Sequence, residues 1–360
     1  MPTARPVEHR VLVTGGAGFV GANAAVALKG RHPDWEVVSL DNLNRRGAEL
    51  NLPRLREAGV RFEHGDVRVA SDLAALPRMD AIVECSAEPS VLAGVDGVPD
   101  GVVATNLIGA WHCLELARRD GAQVVFLSTS RVYPVGALEQ LAIEAGPTRF
   151  ELSDRQAVPG ASAAGITEDF PMTGARTLYG ATKLAGEMLV EEYRAAYGLR
   201  TVVDRWGVIA GPWQMGKLDQ GVFTYWVLAH RFGWPLTYLG FDGSGRQVRD
   251  LVHVDDAIDL LEDQLLRPEH WDGVVVNAGG GRTCSLSLLE TTALCRELTG
   301  REVPVEPAGV ARPGDIPIYL SDTTRLSERS QWRPRRTARD ILMDIADWVS
   351  ENERSILSAL

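Results

Sequence analysis

Residues 14–21 read TGGAGFVG, directly behind the apolar run VLV and directly ahead of the helical pattern AGFVGANAAVALKG. Gly15, Gly18 and Gly21 stand three apart at this junction. Glycines so placed permit a tight strand-to-helix turn, let backbone N–H groups approach a pyrophosphate, and let helix pack close on strand. Around the turn, short apolar runs (WEVVSLD, RFEHGDV, DAIVECSA, QVVFLSTS) alternate with helical stretches such as NLIGAWHCLELARR. That alternation predicts βαβ units, a parallel sheet and right-handed crossovers. The runs are continuously apolar, as in strands covered on both faces. The expected fold is α/β, a doubly wound parallel sheet.

The second run ends in Asp41 and the third in GDV with Asp66. A carboxylate at the end of the second strand accepts the hydroxyls of an adenosine ribose and repels a 2′-phosphate, which favours NAD over NADP. Arg45 and Arg46 lie close enough in sequence to receive that phosphate instead, and Asp41 has the alternative role of capping a turn in DNLN.

At 360 residues the chain has room for about two domains. The boundary is expected near residue 205: residues 1–205 form a dinucleotide-binding domain, interrupted at about 136–177 by a Gly-, Pro-, Ala- and Ser-rich insertion of the kind that forms lids, binding loops or disordered connectors. Residues 206–360 form mainly a smaller substrate-binding domain, with some segments returning to the first. A helix is predicted over LYGATKLAGEMLVEEYRAAY, with Gly198 as its stop.

Several functions are disfavoured. A net charge of −11 argues against a surface that neutralises nucleic-acid phosphates, so an anionic ligand must meet a few placed arginines. No apolar run spans a bilayer and the start lacks a signal-peptide core, so a soluble, cytoplasmic protein is expected. Cys85, Cys113, Cys284 and Cys295 show no CxxC spacing and read as reduced core residues. The histidines are scattered singly, and no metal is expected.

Tyr179 and Lys183 form YxxxK, one helical turn apart and on one face. An ammonium beside a phenol favours phenolate, so the tyrosine can serve as general base. LSTSRVYP, closing an apolar strand, supplies Ser128, Thr129 and Ser130, any of which could hold a substrate oxygen.

With these residues in order, the chain resembles the extended short-chain dehydrogenase/reductases, the Rossmann-type family of NAD-dependent nucleotide-sugar epimerases and dehydratases. TGGAGFVG, GDVR, TNLIG, STSRVYP, YGATK, the Gly211-Pro212 loop, RDLVHVDD and RPGD fall in that family's order. The resemblance implies Tyr179 as base, Lys183 as its modulator and ribose anchor, and Thr129, four before Tyr133, as hydroxyl partner. For NAD it implies Gly15, Gly18, Phe19, Val20, Gly21, Asp41, Asn42, Asp66, Val67 and Ser86 beside Tyr179 and Lys183. For a nucleotide-diphosphate sugar it implies Arg249 and Arg312 as diphosphate clamps; Glu88, Ser90 and Arg131 are further candidate contacts, and Arg205, Gln214, Lys217 and Gln220, on or near the loop after the sixth strand, are second-rank candidates. A homodimer through the helices near Val102 and Tyr179 is also implied.

Dehydratases of the family resemble TDEVYG, whereas this chain has Ser130 and Arg131 after Thr129, so elimination lacks its carboxylates and reversible oxidation is favoured. DNLNRRGAELNL, STSRVYP and GSGRQVRDLVH are most similar to CDP-paratose (tyvelose) 2-epimerases, implying inversion at carbon 2 of a CDP-dideoxyhexose. Alternatives are a 4-epimerase of another nucleotide sugar (UDP-hexose or ADP-heptose type), a reductase or dehydrogenase, and a non-catalytic NAD-binding sensor. The chain departs from the family where Glu84 or Cys85 replaces a usual histidine, at Glu88, at Pro134 for glycine, and at Gly207 for a phosphate-contacting asparagine.

Overall fold

The computed structural model describes residues 9–95, 97–216, 220–310 and 312–359. β1 (His9–Thr14), β2 (Trp35–Asp41), β3 (Arg61–His64), β4 (Ala81–Glu84), β5 (Gln123–Thr129), β6 (Thr201–Trp206) and β7 (Val274–Ala278) form one parallel sheet of order β7-β6-β5-β4-β1-β2-β3. This is the doubly wound α/β architecture expected from the strand–helix alternation. The order reverses between β4 and β1, the point beyond which such sheets hold their ligands.

The strands are apolar throughout because neither face meets water. Val11, Val13 and Val125 point to one side, under helices α1 (Phe19–Arg31) and Val254–Leu266. Their neighbours Leu12 and Phe126 point to the other, under α2 (Ala110–Asp120) and α3 (Leu178–Tyr197). α3 starts where Thr177 Oγ1 accepts the Gly180 N–H at 3.2 Å and stops at Gly198, whose φ of 69° only glycine adopts without strain. α2 is preceded by one π-helical turn, Ala104–Gly109.

Beyond β6 the chain builds a second layer at the carboxyl ends of the strands. Val208–Ala210, Val248–His253, Ser285–Ser287 and Ile318–Tyr319 make a small mixed sheet. Helices Val222–Phe232, Leu288–Thr299 and Ala338–Glu351 close a third core on Trp226, Leu251, Cys295 and Ile341.

The 136–177 insertion is not a disordered connector. It folds into two small hairpins, Ile143–Ala145 with Phe150–Leu152 and Ala161–Ser162 with Gly165–Ile166. Leu141, Leu152, Ile166 and Phe170 bury themselves against Ile316, Ile318, Tyr319 and Leu320. Polar bonds pin the same contact: Asn277 donates its N–H to Glu168 Oε1 at 2.6 Å and its Nδ2 to the Ile166 carbonyl at 2.7 Å. Among the described residues no helix is long and apolar enough to cross a membrane.

Candidate active site

Two adjoining cavities open above the carboxyl ends of β1, β2, β4 and β5. The first is lined by Gly15, Gly18, Phe19, Val20, Gly21, Asp41, Asn42, Val67, Ser86, Glu88 and Ser90. Its floor is the Gly-rich turn. Gly15 has φ +60°, and the Gly18 N–H closes the turn on the Gly15 carbonyl at 2.9 Å. A Cβ on Gly21 would lie 2.8 Å from the Gly15 carbonyl carbon and closer still to its oxygen, so only glycine fits here. Asp41 both fastens and caps: Oδ2 accepts the Ala17 N–H at 3.0 Å and Oδ1 that of Leu43 at 2.8 Å. The turn-capping role is thus real, and it coexists with a place on the cavity wall.

Asp66 is not itself on that wall. Its carboxylate takes Arg68 and the Asn42 amide, and the Arg68 hydrogen bond, ahead of the opposing burial, holds it down at about 2. Glu88 and Ser90, expected among substrate contacts, stand on this dinucleotide side. Asn106, from the π-helical turn, fixes Glu88 through both backbone groups, accepting its N–H at 2.7 Å and donating to its carbonyl at 3.1 Å.

The second cavity gathers Thr129, Tyr179 and Lys183 with Arg131, Gln214, Gln220, Arg249 and Arg312. Helix α3 reaches it because Gly180 and Gly186 bracket Lys183 and let the helix touch the Arg131 backbone and the Phe126 ring. Thr129 Oγ1 accepts the Arg131 N–H at 3.2 Å, and among the described residues nothing takes its hydroxyl proton. The Arg131 guanidinium donates to the Gly314 carbonyl at 3.1 Å, and burial together with the Arg249 charge pushes it down to about 10. Arg249 pairs with Asp315 at 3.0 Å. Gln214 and Gln220 face both cavities; Gln220 accepts from Arg45, and Lys217 lies outside the described residues.

Arg205 is not a wall residue. It forms a bidentate buried pair with Glu187, reaching its oxygens at 2.8 and 3.1 Å, and Ser128 donates to the same carboxylate. Sequence reading missed Glu187, although its signal was present: Tyr179, Lys183 and Glu187 recur every four residues and share one stripe of α3. It also left open which of Glu84 and Cys85 matters. Glu84 Oε2 lies 3.3 Å from Lys183 Nζ with both side chains buried, while Cys85 lines both cavities.

A glycine cradle at the start of α1, a wall carboxylate at the end of β2 and a tyrosine–lysine pair across the switch point fit a bound dinucleotide. The model of the NAD dependent epimerase/dehydratase family matches residues 11–279. The chain belongs to this family, and its cofactor is NAD.

Similarity extends across nearly the whole chain. CDP-paratose 2-epimerase of Salmonella typhi is 28% identical over 352 residues, spanning 95% of this chain and 99% of that one. UDP-glucose 4-epimerase of Azospirillum brasilense is 30% identical over 371 residues, covering 96% and 94%. The solved structure of a dTDP-glucose 4,6-dehydratase from Streptomyces venezuelae with NAD superposes with a TM-score of 0.79 at 28% identity, covering 98% and 100%. The family thus offers epimerases and dehydratases as relatives of this enzyme.

Proposed function

We propose that this enzyme epimerises a nucleotide-diphosphate sugar by transient oxidation at one ring carbon, with carbon 2 of a CDP-dideoxyhexose as the preferred substrate. One observation carries the choice of epimerisation over elimination. Among the described residues, the only carboxylate on the wall of the second cavity is Asp315, and it is paired with Arg249. Loss of water from a keto sugar needs a carboxylate-type acid and base at the reacting carbons; here Ser130 and Arg131 follow Thr129 in their place.

In this reading the sheet layer with the Gly-rich turn holds the dinucleotide and the second layer holds the sugar nucleotide. NAD, when bound, supplies a hydride acceptor that returns the hydride later. Tyr179 takes the proton of the sugar hydroxyl that becomes a carbonyl, Thr129 donates its free hydroxyl proton to the same oxygen, and Lys183 favours the phenolate. Arg131, Arg249 and Arg312 make the wall cationic enough to bind a diphosphate on an otherwise acidic protein. Inversion at carbon 4 is the second reading, favoured by the comparable identity of the 4-epimerase relative. The enzyme is proposed to pair as a homodimer through α2 and α3, which expose Trp111, Met188 and Tyr197.

Incubation with CDP- and UDP-sugars in heavy water, with no added cofactor, tests the reaction. Inverted product free of solvent deuterium supports hydride return, whereas deuterium at a ring carbon together with loss of water sinks it in favour of elimination. Tyr179→Phe should leave NAD binding intact and lower turnover about a hundredfold or more.

A further inference from the structure

We propose that Glu84 is a positioning residue for the catalytic base: its carboxylate holds the Lys183 ammonium beneath the sugar cavity and counters part of the charge that Lys183 lends to Tyr179. The inference rests on the reading of Tyr179 as base given above.

Glu84 is the last residue of β4, at the switch point, flanked in register by Thr14 of β1 and Phe126 of β5. It is 1% exposed and Lys183 is 2% exposed. Lys183 Nζ donates to Glu84 Oε2 and sits 4.1 Å from the centre of the Phe126 ring; among the described residues it has no other hydrogen-bond partner. An ammonium withdrawn from water is tolerable only beside an anion. The same residue is expected to reach toward the dinucleotide and the phenol, so Glu84 sets how much of its charge is left for that task.

Two observations separate this role from a simple brace. α3 is already tied to the sheet one turn further on, where Glu187 takes Arg205 and Ser128. The Glu84 carboxylate is also not engaged by other side chains: Lys183 is its side-chain partner among the described residues, with only the Ser86 backbone N–H beside it. Among the described residues, the neighbouring strands and α2 add no competing charge: β1 and β5 present Thr14 and Phe126, β4 presents Cys85 and α2 presents Cys113. Burial, with the Glu84 charge adding to it, holds both thiols up and protonated. On the cavity side Arg131 faces Tyr179. Burial also pushes the Glu84 carboxyl above its ordinary value, against the pull of Lys183.

The sign of the effect follows. Removing a negative charge 3.3 Å from the ammonium leaves more positive potential at the phenol, and the phenolate forms at lower pH. In full-length Glu84→Gln, the ascending limb of the pH–kcat profile should move to lower pH by about one unit, raising turnover on the acid side up to about tenfold, with KM little changed. Glu84→Asp keeps the charge at a longer gap and should move the limb the same way by less; it also carries the test should the glutamine variant fail to fold. The phenolate absorbance of Tyr179, read in the presence of NAD as the difference from Tyr179→Phe and without substrate, should move in parallel. A uniform fall in kcat with the limb unmoved in both variants would make Glu84 a brace and overturn the proposal. Full turnover by Tyr179→Phe would instead overturn the base assignment itself.

Discussion

Gly180 follows the proposed base at the first turn of α3, and its missing side chain sets how close the helix comes to the catalytic strand. A Cβ there would lie 2.9 Å from the Arg131 carbonyl carbon and nearer still to its oxygen. Ordinary contact begins near 3.4 Å, so Gly180→Ala must drive α3 and the Thr129–Arg131 turn apart by roughly an ångström in an interior with little slack. Stability suffers modestly. The overlap costs about 1–3 kcal/mol and alanine returns about 1 kcal/mol of helix propensity, leaving a loss of at most about 2 kcal/mol. Catalysis suffers more, because a one-ångström misplacement of reacting groups costs about a hundredfold. At saturating substrate, kcat of Gly180→Ala should fall by about that factor while NAD content and the unfolding transition stay close to the parent. NAD content survives because the Gly15–Gly21 turn lies on another element. A variant turning over within about threefold of the parent would refute the idea that this contact sets the Thr129–Tyr179 geometry.

Gly21→Ala places a methyl 2.8 Å from the Gly15 carbonyl carbon, and fluorescence titration should show NAD affinity weakened by more than about tenfold; an unchanged Kd rejects the cradle. Glu187→Gln strands Arg205 without its anion and should cost about 3 kcal/mol in urea unfolding, part of it regained in the double variant with Arg205→Met; a loss below about 1 kcal/mol would mean the pair is not a buried anchor. Burial lifts the Asp204 carboxyl to about 7 although Gln264 donates to it at 2.7 Å. The unfolded chain releases that proton near pH ~3.9, before the folded chain does, so this group's contribution falls as pH rises from about 4 to 7. Asp204→Asn should therefore flatten the decline and be the more stable protein at about pH 8; parallel pH–stability curves would contradict it.

The Gly-rich turn, the YxxxK stripe and the strand–helix alternation were legible because each is a local arrangement, written within a few residues of the chemistry it serves. What sequence concealed depends on distant partners. Arg205 looked like a wall residue, yet it faces Glu187 because β6 pairs with β5 in the register that sets Arg205 beside Ser128. Glu88 and Ser90 turned to the dinucleotide side because Asn106, from a helix 18 residues further on, clamps the Glu88 backbone. No spacing rule links Glu84 to Lys183, which are 99 positions apart. The insertion read as loop because its hairpins are short and its apolar residues pack on 316–320.

That last packing has a consequence for anyone recombining this chain with its relatives. Asn277 sits in the last strand of the sheet, yet its side chain is committed on both sides: the Tyr133 hydroxyl donates to Oδ1 at 2.7 Å and Nδ2 donates to Ile166. A chimaera that exchanges residues 136–177 alone keeps the Tyr133 hydroxyl but replaces both acceptors the segment offers Asn277, Glu168 Oε1 and the Ile166 carbonyl, at a buried position where an unmet donor is costly. The segment, Asn277 and the 316–320 strip form one heritable unit, and a functional graft must move all three together.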